Sequence, residues 1–337
     1  MELYLDSANL PEIKDAFQLG FLDGLTTTPT FMHRDGVSDV DETILELAKI
    51  VPVLQVEALG KTAPEIEAEA HRLLDLGLDK TSTVFKIPIS LEGAKACKKL
   101  ISQGLQVNMH LVYTLQQAYI ALSAGATYVC PLVGRLQDQG QDALGLVSQC
   151  VKAVDRYQYP SKIMFSSVRH PEHVRNALNM GVHACTIPWK VLKNLASNHF
   201  TDIGTQQFFE HTRLMTLKVK DVMRQTNTTI SIQHRILDAL VKMTQSKLGA
   251  ITLVTENGAI CGIFTDGDLR RLLEKEGEGV LAKPLAQLPK GSPKVIATDA
   301  TLQAASLVFK EYKIDNLVVV NGERAVGMLD IQDLLES

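Results

Sequence analysis

Thr83-Val84-Phe85-Lys86-Ile87-Pro88 places one ammonium inside a short apolar, β-prone run. In a strand, Phe85 and Ile87 take one face, and Val84 and Lys86 take the other. A lysine on such a face loses hydration, which disfavours the charged form and favours the neutral amine. The neutral amine is what attacks a carbonyl carbon, so the position suits a Schiff-base nucleophile. A buried lysine paired with a carboxylate for structure alone is the competing reading of the same residue.

Working outward, similar runs fall at 2–6, 24–27, 53–57, 83–87, 106–111, 127–132, 162–167 and 183–187. Helix-like patterns such as 63–76 and 93–103 separate them. This α/β alternation points to a (β/α)8 TIM barrel, with an open doubly wound sheet as the alternative, and 202–215 reads as a closing helix. Strand parity adds chemistry to the fold. Tyr4 and Asp6 lie opposite Leu3 and Leu5; Gln55 and Glu57 lie opposite Leu54 and Val56; Asn108 and His110 lie opposite Val107, Met109 and Leu111. The apolar sides must face the helices, so the polar sides face the barrel interior near the C-terminal strand ends, where barrel active sites form.

Past Leu217 the pattern changes and a repeat appears at a constant offset of 65 residues. Leu253-Val254 falls on Val318-Val319, Gly262-Ile263 on Gly327-Met328, and Asp268-Leu269 on Asp333-Leu334. A barrel over 1–216 is therefore expected to precede an α+β region over 217–337, with copies at about 219–275 and 284–337. Each copy reads as a helix, two strands and a second helix, and two such units bury their faces against each other.

Bulk composition narrows the function classes. A net charge of −4 supplies no electrostatic case for nucleic acid or an anionic membrane. No apolar run reaches bilayer length, and MELYLDSANL reads as a strand, not a signal peptide. Cys97, Cys130, Cys150, Cys185 and Cys261 show no C-x-x-C spacing. They are expected to be reduced thiols of a cytoplasmic protein, with neither a zinc site nor a disulfide framework. No metal or cofactor is implied.

The repeat resembles a tandem pair of CBS modules, a Bateman domain, through Gly262-Ile263-Phe264-Thr265-Asp266-Gly267-Asp268-Leu269-Arg270-Arg271. The resemblance implies that the Thr265 hydroxyl meets a phosphate and the Asp268 carboxylate takes ribose hydroxyls, with Asp333 as the counterpart in the second copy. Asp330 stands where the first copy has Thr265, and a carboxylate there repels phosphate. At most one good site is expected, for an adenine nucleotide, another nucleotide or a sugar nucleotide. The run also looks like the CBS pair attached to arabinose-5-phosphate isomerases and some sugar nucleotidyltransferases, which hints at surface-sugar metabolism.

The barrel resembles the small transaldolases and fructose-6-phosphate aldolases. Leu5-Asp6-Ser7, Gly24-Leu25-Thr26-Thr27-Thr28-Pro29, Phe85-Lys86-Ile87-Pro88, Pro131-Leu132-Val133-Gly134-Arg135 and Ile187-Pro188 carry the likeness. It implies that Lys86 forms the Schiff base, that Asp6 shuttles protons, and that Arg135, Ser167 and Arg169 grip a substrate phosphate. A salt bridge to a barrel helix competes for Arg135, and plain solvent exposure for Arg169. Gln55 matches the aldolase subgroup, and Thr26, Thr28 and Asn108 complete the substrate-facing set. Three positions depart from the family. Thr28 replaces an asparagine, His110 a threonine that positions the catalytic water, and Leu132 an aromatic residue whose phenol aids acid/base work. His110 is either a satisfied structural histidine or the proton relay that replaces that phenol. The leading expectation is a Schiff-base transaldolase or aldolase acting on a sugar phosphate under nucleotide control. The alternative is a barrel that has lost turnover and serves as a sugar-phosphate-binding regulator; an isomerase reading rests on the CBS likeness alone. Relatives form pentameric rings, often doubled, so a homo-oligomer is expected.

Overall fold

A computed structural model describes residues 1–335 of the chain. Strands β1 (Glu2–Asp6), β2 (Gly24–Thr26), β3 (Leu54–Glu57), β4 (Thr83–Pro88), β5 (Gln106–Val112), β6 (Tyr128–Pro131), β7 (Lys162–Phe165) and β8 (Ala184–Ile187) close into a parallel barrel in chain order. All eight coincide with the expected runs to within a residue or two. Local signals set the helices between them. Thr62 and Glu65 form a capping box at the start of Ala63–Asp75, and Thr114 and Gln117 do the same for Leu115–Ala124. Leu5, Phe85, Ile87, Val107 and Met109 face the helices in the main core, as the alternation requires.

Inside the barrel, Tyr4, Val84, Tyr128, Cys130, Met164 and Ala184 form a separate packed layer. Beneath it the Tyr4 and Tyr128 hydroxyls are 3.0 Å apart, and Tyr128 donates to Glu2 Oε2 at 2.8 Å. Lys162 pairs with Glu2 in turn. Gly24 is required beside this layer, because a Cβ there would lie 2.5 Å from both the Tyr4 ring and the Val53 carbonyl oxygen. The N-terminal end of the barrel is thus plugged by side chains, leaving the C-terminal end for a site.

The chain divides into two compact units, Met1–Ser197 and Asn198–Ser337. The helix expected to close the barrel, His199–Thr216, groups by its contacts with the second unit. Its physical ties explain this: Arg213 donates to the carbonyls of Asp333 and Leu334, and Leu214 packs on the core of the second copy.

The first copy contains β9 (Thr229–Ser231), β10 (Ala250–Val254) and β11 (Ile260–Thr265); the second contains β12 (Val295–Ala297), β13 (Asn316–Asn321) and β14 (Arg324–Asp330). The sheet orders β11-β10-β9 and β12-β13-β14 mirror each other. Each copy therefore has one short leading strand beyond the two expected. Helices Ile236–Ser246 and Asp266–Glu276 flank β10 and β11, and Leu302–Tyr312 precedes β13. After β14 the second helix is reduced to a 3₁₀ turn, Ile331–Leu334, and the last two positions of that copy, 336 and 337, lie outside the described residues. Leu248, Ala250, Val318 and Met328 pack the two copies together. No helix among the described residues is long and apolar enough to cross a membrane.

Candidate active site

A cavity of about 620 Å³ opens at the C-terminal mouth of the barrel. Asp6, Thr26, Thr28, Lys86, Asn108, His110, Arg135, Ser167 and Arg169, all singled out from the sequence, line this one space. Lys86 comes from the middle of β4, where Phe85 and Ile87 anchor the strand outward and leave the ammonium pointing in. Its side chain is only 6% exposed. Lys86 Nζ donates to the Thr27 carbonyl at 2.8 Å and pairs with Glu57 Oε1 at 3.0 Å. The carboxylate partner lines the same cavity, so the amine is held at the opening and not pulled away from it.

Glu57 is the residue whose part the sequence reading missed. Cross-strand register places Glu57 beside Lys86, while Gln55 lies beside Val84, one pleat repeat deeper. Gln55 is fully buried, does not line the cavity, and accepts a hydrogen bond from Asn108 Nδ2 at 2.7 Å. Glu57 also reaches His110: Nε2 lies 2.8 Å from Glu57 Oε2, close in distance though not aligned as a linear hydrogen bond. Burial alone would raise the Glu57 carboxyl, but Lys86 and His110 outweigh it and hold it below the usual carboxylate range. Burial keeps the His110 ring below the ordinary histidine value, against the opposing pull of Glu57.

Asp6, at the end of β1, has the opposite electrostatic setting. Burial pushes its carboxyl above the usual range, while Lys86 and Thr26 pull it back. Thr26 Oγ1 donates to Asp6 Oδ1 at 2.8 Å and lies 2.5 Å from Thr186 Oγ1. Two carboxylates near one amine therefore differ in setting: the Glu57 carboxyl is held low and the Asp6 carboxyl is pushed high.

The far wall carries positive charge. Arg135 follows β6 and Nη1 donates to the Tyr113 hydroxyl at 3.4 Å; Arg169 follows β7 and pairs with Asp138 at 2.8 Å. Both are exposed. Between them Ser167 takes a left-handed backbone, φ 60°, which turns the loop over the cavity. His173 supports this loop from behind. It accepts from the Arg169 backbone N–H at Nδ1, and Nε2 meets Gln137 Oε1 at 2.6 Å.

A pH-dependent stability follows from His173. Burial first, then His170 and Arg169, push it down to about 4. The folded state thus binds fewer protons than the unfolded state below the ordinary histidine value near 6.5. Its contribution is fully present above that pH and is lost as pH falls towards 4. Urea midpoints at pH 7.5 and 4.5 should show a loss on the order of 2 kcal/mol that is absent in His173→Gln.

In the second unit, Thr265 caps Asp266–Glu276, and Asp268 Oδ2 accepts from the Thr265 hydroxyl at 2.7 Å. Asp268 also pairs with Arg271 at 2.6 Å. Asp333, expected to be the counterpart of Asp268, is more enclosed. It is 7% exposed, with Arg224 Nη2 at 2.7 Å and the Asp330 N–H donating at 2.8 Å. Its carboxylate is spent inside the fold, because Arg224 bridges from the segment that pairs with Met328. No group of three or more metal-ligating side chains gathers among the described residues.

A family model described as Transaldolase/Fructose-6-phosphate aldolase matches residues 3–240, and CBS domain models match 219–275 and 285–337. The protein named "Probable transaldolase 2" of Bacillus cereus is 39% identical over 214 residues, covering 62% of this chain and 96% of that one. "Probable transaldolase" of Desulforudis audaxviator is 38% identical over 212 residues, with the same two coverages of 62% and 96%. Among solved structures, a CBS domain pair in complex with 5′-methylthioadenosine and S-adenosyl-L-methionine aligns at TM-score 0.32 and 20% identity, over 35% of this chain and 93% of that one.

Proposed function

Because the chain belongs to the transaldolase and fructose-6-phosphate aldolase family, we propose that it makes or breaks a carbon–carbon bond of a phosphorylated ketose through an imine on Lys86. The observation that carries this is the Lys86 amine lining the mouth cavity, nearly shielded from solvent. Its nitrogen attacks the ketose carbonyl, a C–N bond forms and water leaves. The iminium draws electrons from the C3–C4 bond. Asp6 takes the C4 hydroxyl proton as that bond breaks, the aldehyde departs, and an enamine remains on Lys86. Arg135, Ser167 and Arg169 would hold the phosphate on the far wall, where guanidinium groups pair with its oxygens. The enamine then ends either by protonation and hydrolysis or by adding a second aldehyde.

Borohydride reduction in the presence of fructose 6-phosphate tests the reading, with the adduct located by mass spectrometry. A hexose phosphate or dihydroxyacetone adduct on Lys86 is expected, and its absence rejects the enzyme. The replacements Thr28, His110 and Leu132 all line the cavity, which favours one second reading. An adduct without product would identify a sugar-phosphate-binding regulator.

We assign nucleotide control to the first CBS copy, through Thr265 and Asp268: both carboxylates pair with an arginine, but the Asp268 side chain is 38% exposed and the Asp333 side chain only 7%. Calorimetry with ATP and AMP should give one site per chain that Asp268→Ala removes. The exposed Phe200, Phe208 and Phe209 supply apolar surface for a homo-oligomer. Light scattering should find more than one chain per particle.

A further inference from the structure

We infer that Glu57 and His110 form a carboxylate–imidazole dyad that handles the water of the Lys86 imine, His110 as the base and Glu57 as its positioning residue. This rests on the imine chemistry proposed above and assigns a part of it that Asp6 leaves open. The dyad is built from neighbouring strands: β3 supplies Glu57, β4 the amine, and β5 His110. Glu57 puts one oxygen 3.0 Å from Lys86 Nζ and the other 2.8 Å from His110 Nε2. Both side chains are less than a tenth exposed, yet both line the cavity. A carboxylate at Nε2 favours the tautomer protonated there, which leaves Nδ1 as the acceptor. Nδ1 has no hydrogen bond to another described residue. His110 thus combines an orienting anion on one side with a free lone pair on the other, the arrangement a general base requires.

In hydrolysis, a water oxygen adds to the carbon of the protonated imine, the π pair of C=N neutralises the nitrogen, and a water proton goes to His110 Nδ1. The new imidazolium faces the Glu57 carboxylate. The proton then moves from His110 to the amine nitrogen, the C–N bond breaks, and the carbonyl forms as its hydroxyl proton passes to Asp6. Imine formation is the same path reversed, so the dyad also governs how fast the imine appears. The charged groups that act on His110 are Glu57, Lys86 and Arg135, and Asp6, Glu12, Arg34, Cys130, Arg169 and Lys190 share its cavity. Burial opposes the imidazolium most, Glu57 favours it, and Lys86 and Arg135 oppose it.

The test is rapid-quench borohydride trapping with fructose 6-phosphate on the full chain. Glu57→Gln and His110→Gln should each slow the appearance of the Lys86 adduct by about 100-fold, with the final trapped fraction unchanged. The double variant should be no slower than either single one, since one unit has been broken. Glu57→Asp should recover part of the rate. The acid limb of the rate–pH profile should move to lower pH in Glu57→Gln, because the anion that favours imidazolium is gone. The sign of the rate change discriminates between roles. If Glu57 only pairs with Lys86, removing it frees the amine and the adduct appears as fast or faster, which overturns the dyad. Additive losses in the double variant also overturn it. A wild-type protein that forms no adduct rejects the imine reading itself, a separate result.

Discussion

Lys86→Met is expected to lose turnover by 10⁴-fold or more, because no other amine in the cavity can take the place of the nucleophile. Lys190 also lines the cavity, but it is exposed. The same substitution should destabilise the barrel, for an independent reason. It leaves the Glu57 carboxylate 6% exposed with only His110 beside it. Breaking a buried pair on one side costs about 3–5 kcal/mol, whereas removing both charges is close to neutral. Adding Glu57→Gln to Lys86→Met should therefore restore most of the urea midpoint while activity stays lost. Recovery of stability without activity separates the amine's chemical role from its structural one. A double variant as unstable as the single would show that the ion pair is not what the barrel needs.

Gly134→Ala should raise the KM for a phosphorylated ketose by about tenfold or more while changing kcat less. Gly134 sits in the helix Val133–Asp138 against the loop that follows β7. A Cβ there would collide with the Ser167 carbonyl oxygen and lie 2.8 Å from Arg169 Nε and 2.9 Å from Ser167 Oγ. The backbone oxygen cannot swing aside as a side-chain tip would, so helix and loop must part. Arg135 rides on that helix, and Ser167 and Arg169 on that loop, so the separation spreads the groups proposed to hold phosphate. Overpacking of this kind also costs about 1–3 kcal/mol of stability. Competition by inorganic phosphate gives a direct reading: its inhibition constant should rise in parallel with KM. A KM that stays constant would remove this wall from the binding of the substrate.

The fold was legible because every barrel strand carries the same instruction twice. Leu3 and Leu5, or Val107 and Met109, declare the helix side, while Tyr4 and Asp6, or Asn108 and His110, declare the interior. The site was nearly as legible, since an inward polar residue at a strand's C-terminal end has few other places to go. Glu57 escaped because alternation cannot rank two residues on one face. Gln55 and Glu57 share parity, and only the register of β3 against β4 shows which lies level with Lys86. That register is fixed by packing between segments some thirty residues apart, which no local pattern records. The burial of Asp333 was hidden for a related reason. The repeat aligned it correctly with Asp268, but its partner Arg224 reaches it from the chain that crosses to Met328. β9 and β12 span three residues each, too short for alternation to register.

The plug formed by Tyr4, Tyr128, Glu2 and Lys162 makes the barrel a cul-de-sac. Whatever enters beside Lys86 must depart through the doorway by which it came. If Lys86 carries a fragment as proposed, the leaving product and the incoming partner share that one threshold.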